Sequence, residues 1–156
     1  MTPTPVFNMK KELWPESGTY ILVLKVKSSQ KIVIGKIGQY TFEKGYYIYI
    51  GSAHGPGGIK ARIERHLKKN KIKHWHIDYL RNIAPVVGIL VNYSKKKKEC
   101  SWASKLFSST DLSAPIPGFG SSDCACPSHL FFSRVKLDVD FLNKILKQPV
   151  EYFKLL

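Results

Sequence analysis

β-Branched and apolar residues fill positions 20–26 (YILVLKV), which predicts a strand; a polar break at 27–30 separates it from a second apolar stretch at 31–37, and together the two predict a hairpin. A third strand is expected beside them at 46–51 (YYIYIG), where the aromatic and β-branched run stops at the glycine-rich loop SAHGPGG. From Ile59 the period changes. Ile59, Ile63 and Leu67 recur every four residues and mark an apolar stripe on a helix running to about residue 70. Arg62, His66 and Lys69 fall in one narrow arc bordering that stripe.

A short helix at 75–82 and a strand at 86–93 (VVGILVNY) follow, and four lysines at 95–98 lead into a helix at 99–107 whose buried side is Trp102, Ala103 and Leu106. Glu99 precedes those residues by helical spacings, so its carboxylate points along the apolar face and needs a partner. It is either a first-turn acid facing the positive end of the helix or a metal ligand. The Ser/Pro/Gly-rich stretch 108–122 reads as a loop. In the tail, Phe141, Leu142, Ile145 and Leu146 predict an amphipathic helix ending before Pro149, which either covers core or offers a face for homodimerisation.

Composition narrows the class. With 156 residues, 44% hydrophobic content, no internal repeat and no long linker, the chain reads as one domain over 1–156 with its own core. Three cysteines are too few and too odd in number for a disulfide framework, and the start of the chain has no apolar run suited to a signal peptide, so a cytoplasmic protein is expected. No window approaches the roughly 20 apolar residues of a membrane span. The 25 Lys and Arg against 11 Asp and Glu leave a net charge of +14, which makes a polyanion the natural partner. The basic run Lys60, Arg62, Arg65, Lys68, Lys69, Lys71 and Lys73, with Glu64 its single acid, is either a solvated face or a phosphate-binding one.

Cys100, Cys124, Cys126 and His129 together would supply the four N/S ligands of tetrahedral zinc, but the single residue between Cys124 and Cys126 argues against it. The same residues fit a disulfide from Cys100 to Cys124 or Cys126, or packed thiols with His129 in the core or beside an active site.

Gly18-Thr19-Tyr20 on the first strand, Tyr49-Ile50-Gly51 on the third, Arg62 to His66 opening a helix, and a Glu99-led helix occur in an order that resembles the GIY-YIG nuclease superfamily. The chain is more closely similar to a small branch of it catalogued as a domain of unknown function, DUF123, through YIGSA, GGIKARIERHL, HWHIDYL and GFGSSDCACPSHLFF. The resemblance spans about 18–133 and leaves 134–156 as a C-terminal helical extension. It implies an α/β (α+β) fold with a central three-stranded antiparallel sheet flanked by helices, extra strands, and a phosphodiesterase site with one Mg²⁺ or Mn²⁺ ion. Residue by residue, Tyr20 matches the first-motif tyrosine, Tyr49 the second, Arg62 the helix arginine, His66 the position four residues on, and Glu99 the metal-binding glutamate.

The chemistry suits those roles. Arg62 offers a planar fork to phosphate oxygens, Glu99 a hard oxygen ligand, and Tyr20 a base or water-orienting hydroxyl supported by Tyr49 and His66, with the reverse assignment of the tyrosines open. Two departures from the superfamily stand out. The first motif reads GTY, with Thr19 expected to face away from the site, and the asparagine usual late in the superfamily has no counterpart, its place held by the stretch 123–129. The leading expectation is a metal-dependent DNA endonuclease, in repair or structure-specific cleavage, holding DNA along 65–73. A nucleic-acid-binding module without catalysis and a zinc or thiol protein are the alternatives.

Overall fold

The computed structural model of the chain describes residues 12–68, 71–121, 124–148 and 150–155. Its centre is β1 (Gly18–Val26), buried along nearly its whole length, which is why the sequence there is continuously apolar and not alternating. β4 (Gly45–Ala53) pairs antiparallel with one side of β1, and β5 (Val86–Tyr93) with the other. β6 (Leu130–Ser133) extends the sheet beyond β4, and β7 (Glu151–Lys154) beyond β5, each antiparallel, to give the five-strand order β6-β4-β1-β5-β7.

Both faces of this sheet are covered. Tyr20, Leu22 and Leu24 of β1 point to one side, where Ile59 and Ile63 of α1 (Gly58–Leu67) and Ile77 and Leu80 of α2 (His76–Arg81) close the first core. Ile21 and Val23 point to the other, against Trp102, Ala103 and Leu106 of α3 (Glu99–Phe107) and Leu142 and Leu146 of α4 (Val139–Leu146).

The expected hairpin between 20–26 and 31–37 does not form. Residues Gln30–Ile34 (β2) pair instead with Gly38–Phe42 (β3) in a separate two-stranded sheet, joined by a 3₁₀ turn at Gly35–Ile37. Within β2 only Ile34 is buried while Lys31 and Val33 face solvent, so the segment lacks the two apolar faces that a place beside β1 demands. The main sheet accordingly has five strands, and β5 takes the place beside β1 that was expected of 31–37.

The helix expected to run to about residue 70 ends at Leu67, and its last two expected positions, Lys69 among them, lie outside the described residues. Its terminal carbonyls are taken by Arg81, whose Nε and Nη2 donate to the oxygens of His66 and Leu67 at 3.1 Å each, and by Lys71, which donates to those of His66 and Lys68. The C-terminal stretch supplies α4, capped by the Asp138 side chain at 2.8 Å from Phe141 N, and then adds β7 to the sheet. α4 lays Leu142 and Leu146 on the second core, and Lys105 of α3 donates to the Leu146 carbonyl at 2.8 Å. Among the described residues no helix is long and apolar enough to cross a membrane.

Candidate functional site

Tyr20 and Gly51 are direct cross-strand partners on β1 and β4. A Cβ at position 51 would lie 2.3 Å from the Tyr20 hydroxyl, so the glycine is what lets the ring lie across the neighbouring strand. Underneath, the Tyr20 hydroxyl meets Nε2 of His66 at 2.6 Å, and both side chains are closed off from solvent. Burial holds the His66 imidazole neutral, its pKa lowered to about 3, and Nδ1 has no hydrogen-bond partner among the described residues. Burial also pushes the Tyr20 hydroxyl well above its ordinary value, with Arg62 pulling the other way.

Tyr49, two residues before Gly51 and on the same face, stands beside His66 with ring centroids 6.1 Å apart. Its ring lies by Gly120, whose φ of +69° strains any other residue and where an added Cβ would come 3.0 Å from the tyrosine ring. Burial raises its hydroxyl too, Tyr20 and Glu99 adding and Arg62 opposing.

Arg62 projects from α1 and donates from Nη1 to the Ser52 carbonyl at 2.8 Å, with its guanidinium 4.5 Å from the centre of the Trp75 ring. Arg65 stacks on the same indole at 4.0 Å and forms a two-point pair with Asp78, at 3.1 and 3.0 Å. Asp78 also accepts from the backbone amides of His74 and Trp75 at 2.8 and 2.9 Å, so one fully buried carboxylate fixes the start of α2, the indole and Arg65 together. Burial would raise its pKa, but Arg65 and the two amides outweigh that and hold it below the usual value.

Glu99 opens α3, which packs on the opposite face of the sheet from α1. The start of that helix is tied down by Thr19, whose hydroxyl accepts from Lys98 N at 3.3 Å. Thr19 therefore does face away from Tyr20, and the hydroxyl that distinguishes GTY holds the residue before Glu99. The Glu99 carboxylate lies 3.9 Å from Nδ1 of His129, too far for a hydrogen bond. His129 is set by its backbone, which donates to Phe119 O at 2.8 Å and accepts from Ile50 N at 3.0 Å.

These elements enclose a cleft of about 450 Å³ lined by Tyr49, Ser52, Arg62, Trp75, Glu99 and His129, with His54 and Lys97 also on its wall. Of the five residues matched to catalytic roles, Tyr49, Arg62 and Glu99 line it, while Tyr20 and His66 lie beneath. The basic run divides. Arg65 is held by Asp78 and Lys71 by helix carbonyls, whereas Lys68 and Lys73 are exposed and Lys60 is half-buried. His54, Trp75 and Lys97 carry no strand or helix periodicity that would single them out, and the only signals near them are the loop SAHGPGG, the segment HWHIDYL and the Lys95–98 run.

Cys100, Cys124 and Cys126 are free thiols, so no disulfide joins them. They are not deeply buried: Cys100 is exposed and the other two half-buried, correcting the expectation of small buried thiols. Their sulfurs and a ring nitrogen of His129 all lie within 4.8 Å of one another.

No curated protein and no solved structure matches the chain. The profile of one family matches residues 19–150, reaching past the similarity seen in sequence to include α4, and the chain belongs to that family, described as a domain of unknown function, DUF123.

Proposed function

We propose that the chain is a metal-dependent phosphodiester hydrolase of the GIY-YIG type, acting on nucleic acid and on DNA in particular. What carries this reading is the convergence of Tyr49, Arg62 and Glu99, from β4, α1 and α3, on one cleft at the end of the sheet in a chain of net charge +14. Phosphodiester cleavage needs an oriented nucleophile, neutralisation of charge growing on the phosphate, and a stabilised leaving oxygen, and each residue type fits one of those needs.

Arg62 binds phosphate. Its Nη1 is anchored on Ser52 and its plane rests on Trp75, which fixes the fork so that the remaining N–H groups are aimed without a further loss of side-chain freedom. Glu99 has 26% of its side chain exposed to the cleft, and its oxygens are not consumed by His129 at 3.9 Å, so the donor set suits a hard cation. One Mg²⁺ or Mn²⁺ held by Glu99, waters and the scissile phosphate would supply charge neutralisation.

Tyr49 faces the nucleophile. Burial keeps its hydroxyl protonated, so it works as a hydrogen-bonding orienter and proton relay for the attacking water and not as a free phenolate. The Tyr20–His66 pair lies below the cleft and holds that wall in place, which favours Tyr49 over Tyr20 at the substrate.

The test is cleavage of labelled duplex, single-stranded, flap, junction and abasic DNAs with Mg²⁺ and then Mn²⁺, wild type beside a folded Glu99→Ala variant. Cutting by wild type alone supports the nuclease and ranks its substrates. Salt-dependent binding of the DNAs by both proteins with no cutting by either replaces it with a binding module.

A further inference from the structure

Three thiols and an imidazole meet where the first turn of α3 touches the loop before β6. Cys100 comes from the helix, Cys124 and Cys126 from the loop, and His129 from the residue that leads into the strand. Their four ligand atoms lie within 4.8 Å of one another, and Cys124 Sγ is 3.3 Å from Nε2 of His129. In a tetrahedral site with Zn–S bonds of about 2.3 Å the sulfurs stand about 3.8 Å apart, so the cluster needs only a modest contraction to close on an ion. The C-x-C spacing that argues against zinc in the sequence is no obstacle in space, because the folded chain already brings Cys124, Cys126 and His129 to Cys100 with all four ligand atoms in one cluster.

We propose that Cys100, Cys124, Cys126 and His129 bind one Zn²⁺ ion as a closed Cys₃His site that clamps the loop to α3. The ligand set is soft and complete, with no carboxylate in it, which selects zinc over the hard cation fitted to Glu99. Binding exchanges three thiol protons, released to solvent, for three Zn–S bonds and one Zn–N bond, and leaves a site of net charge −1 in a strongly basic chain.

The position explains what the ion would do. Among its described residues the segment from Ser108 to His129 has no helix or strand of its own, yet it carries Gly120 under Tyr49 and ends at His129 beside Glu99. A cation on Nε2 of His129 fixes the proton on Nδ1, the nitrogen that points at the Glu99 carboxylate 3.9 Å away. The zinc would thus set one wall of the cleft without touching substrate. Its binding is independent of whether the cleft cuts DNA.

The test uses the full chain, expressed with zinc and purified without chelators, with no nucleic acid present. Elemental analysis is expected to give about one zinc per chain, with no thiol titratable until a chelator is added and three thereafter. Chelated protein refilled with Co²⁺ is expected to show the thiolate-to-cobalt charge-transfer and visible bands of a tetrahedral site. Cys126→Ser, checked for folding by circular dichroism, loses most of the metal, and Glu99→Gln keeps it. Metal-free protein with three freely titratable thiols, a disulfide among the cysteines, or metal lost with Glu99→Gln and kept with Cys126→Ser each overturns the proposal.

Discussion

The hydroxyl of Tyr20 sits 2.6 Å from Nε2 of His66, both sealed from solvent, while Tyr49 on the adjacent strand stands beside the same imidazole and reaches the cleft. The two tyrosines are therefore expected to separate by experiment. Tyr20→Phe strips the His66 imidazole of the one hydrogen bond it has among the described residues and costs about 1–3 kcal/mol of stability. Tyr49→Phe leaves stability nearly unchanged and lowers the single-turnover cleavage rate by about 10²-fold or more, well beyond the loss in Tyr20→Phe. Urea unfolding and cleavage assays on the two variants check this.

His66 also makes stability depend on pH. Its pKa is about 3 in the fold against an ordinary value of 6.5, so between those values the unfolded chain takes up a proton that the folded chain refuses. Its contribution is complete above 6.5 and is lost as pH falls toward 3. His76 and His129, both lowered chiefly by burial, act in the same direction. Denaturation midpoints measured across this window are expected to fall with pH in wild type and more shallowly in His66→Phe, so that the two proteins converge in acid.

Asp78 is a second buried titratable group with consequences. It accepts two bonds from Arg65 and two from backbone amides, and its loss frees Arg65 and the indole that also carries Arg62. Asp78→Ala is expected to cost about 3 kcal/mol at neutral pH, measured by urea denaturation. Because the folded pKa is lowered, this stabilisation is present above the ordinary carboxylate value and disappears as pH drops through the folded one.

The charges do not all face the same task. Lys97 is exposed and lines the cleft, whereas Arg65 is spent on Asp78. In titrations of duplex DNA at several salt concentrations, Lys97→Ala is expected to reduce the slope of log K against log salt by about 0.9, one phosphate contact, and Arg65→Ala to leave the slope as in wild type.

How legible this was in the sequence differed from element to element. β5 and α3 lie where periodicity placed them, because a continuous apolar strand and a Trp102-Ala103-Leu106 stripe each need a partner face whatever the topology. Pairing was less visible: β2 is apolar enough to read as a strand, but only its one-sided burial reveals that it belongs with β3. β7 is four residues with one buried side chain, too short for a pattern to register. Tyr49, Arg62 and Glu99 could be marked from motif order, and Cys100 could be grouped with Cys124, Cys126 and His129 from ligand type, while Trp75 as a shared platform for two arginines exists only once the chain is folded.

The most direct test of the central claim is the single-turnover cleavage rate of Glu99→Gln, which keeps the size of the side chain and removes its charge, against wild type on the best-cut DNA across a Mg²⁺ titration. A loss of about 10²-fold or more that added metal does not restore is expected, with DNA affinity unchanged. Cleavage by Glu99→Gln at the wild-type rate would contradict it.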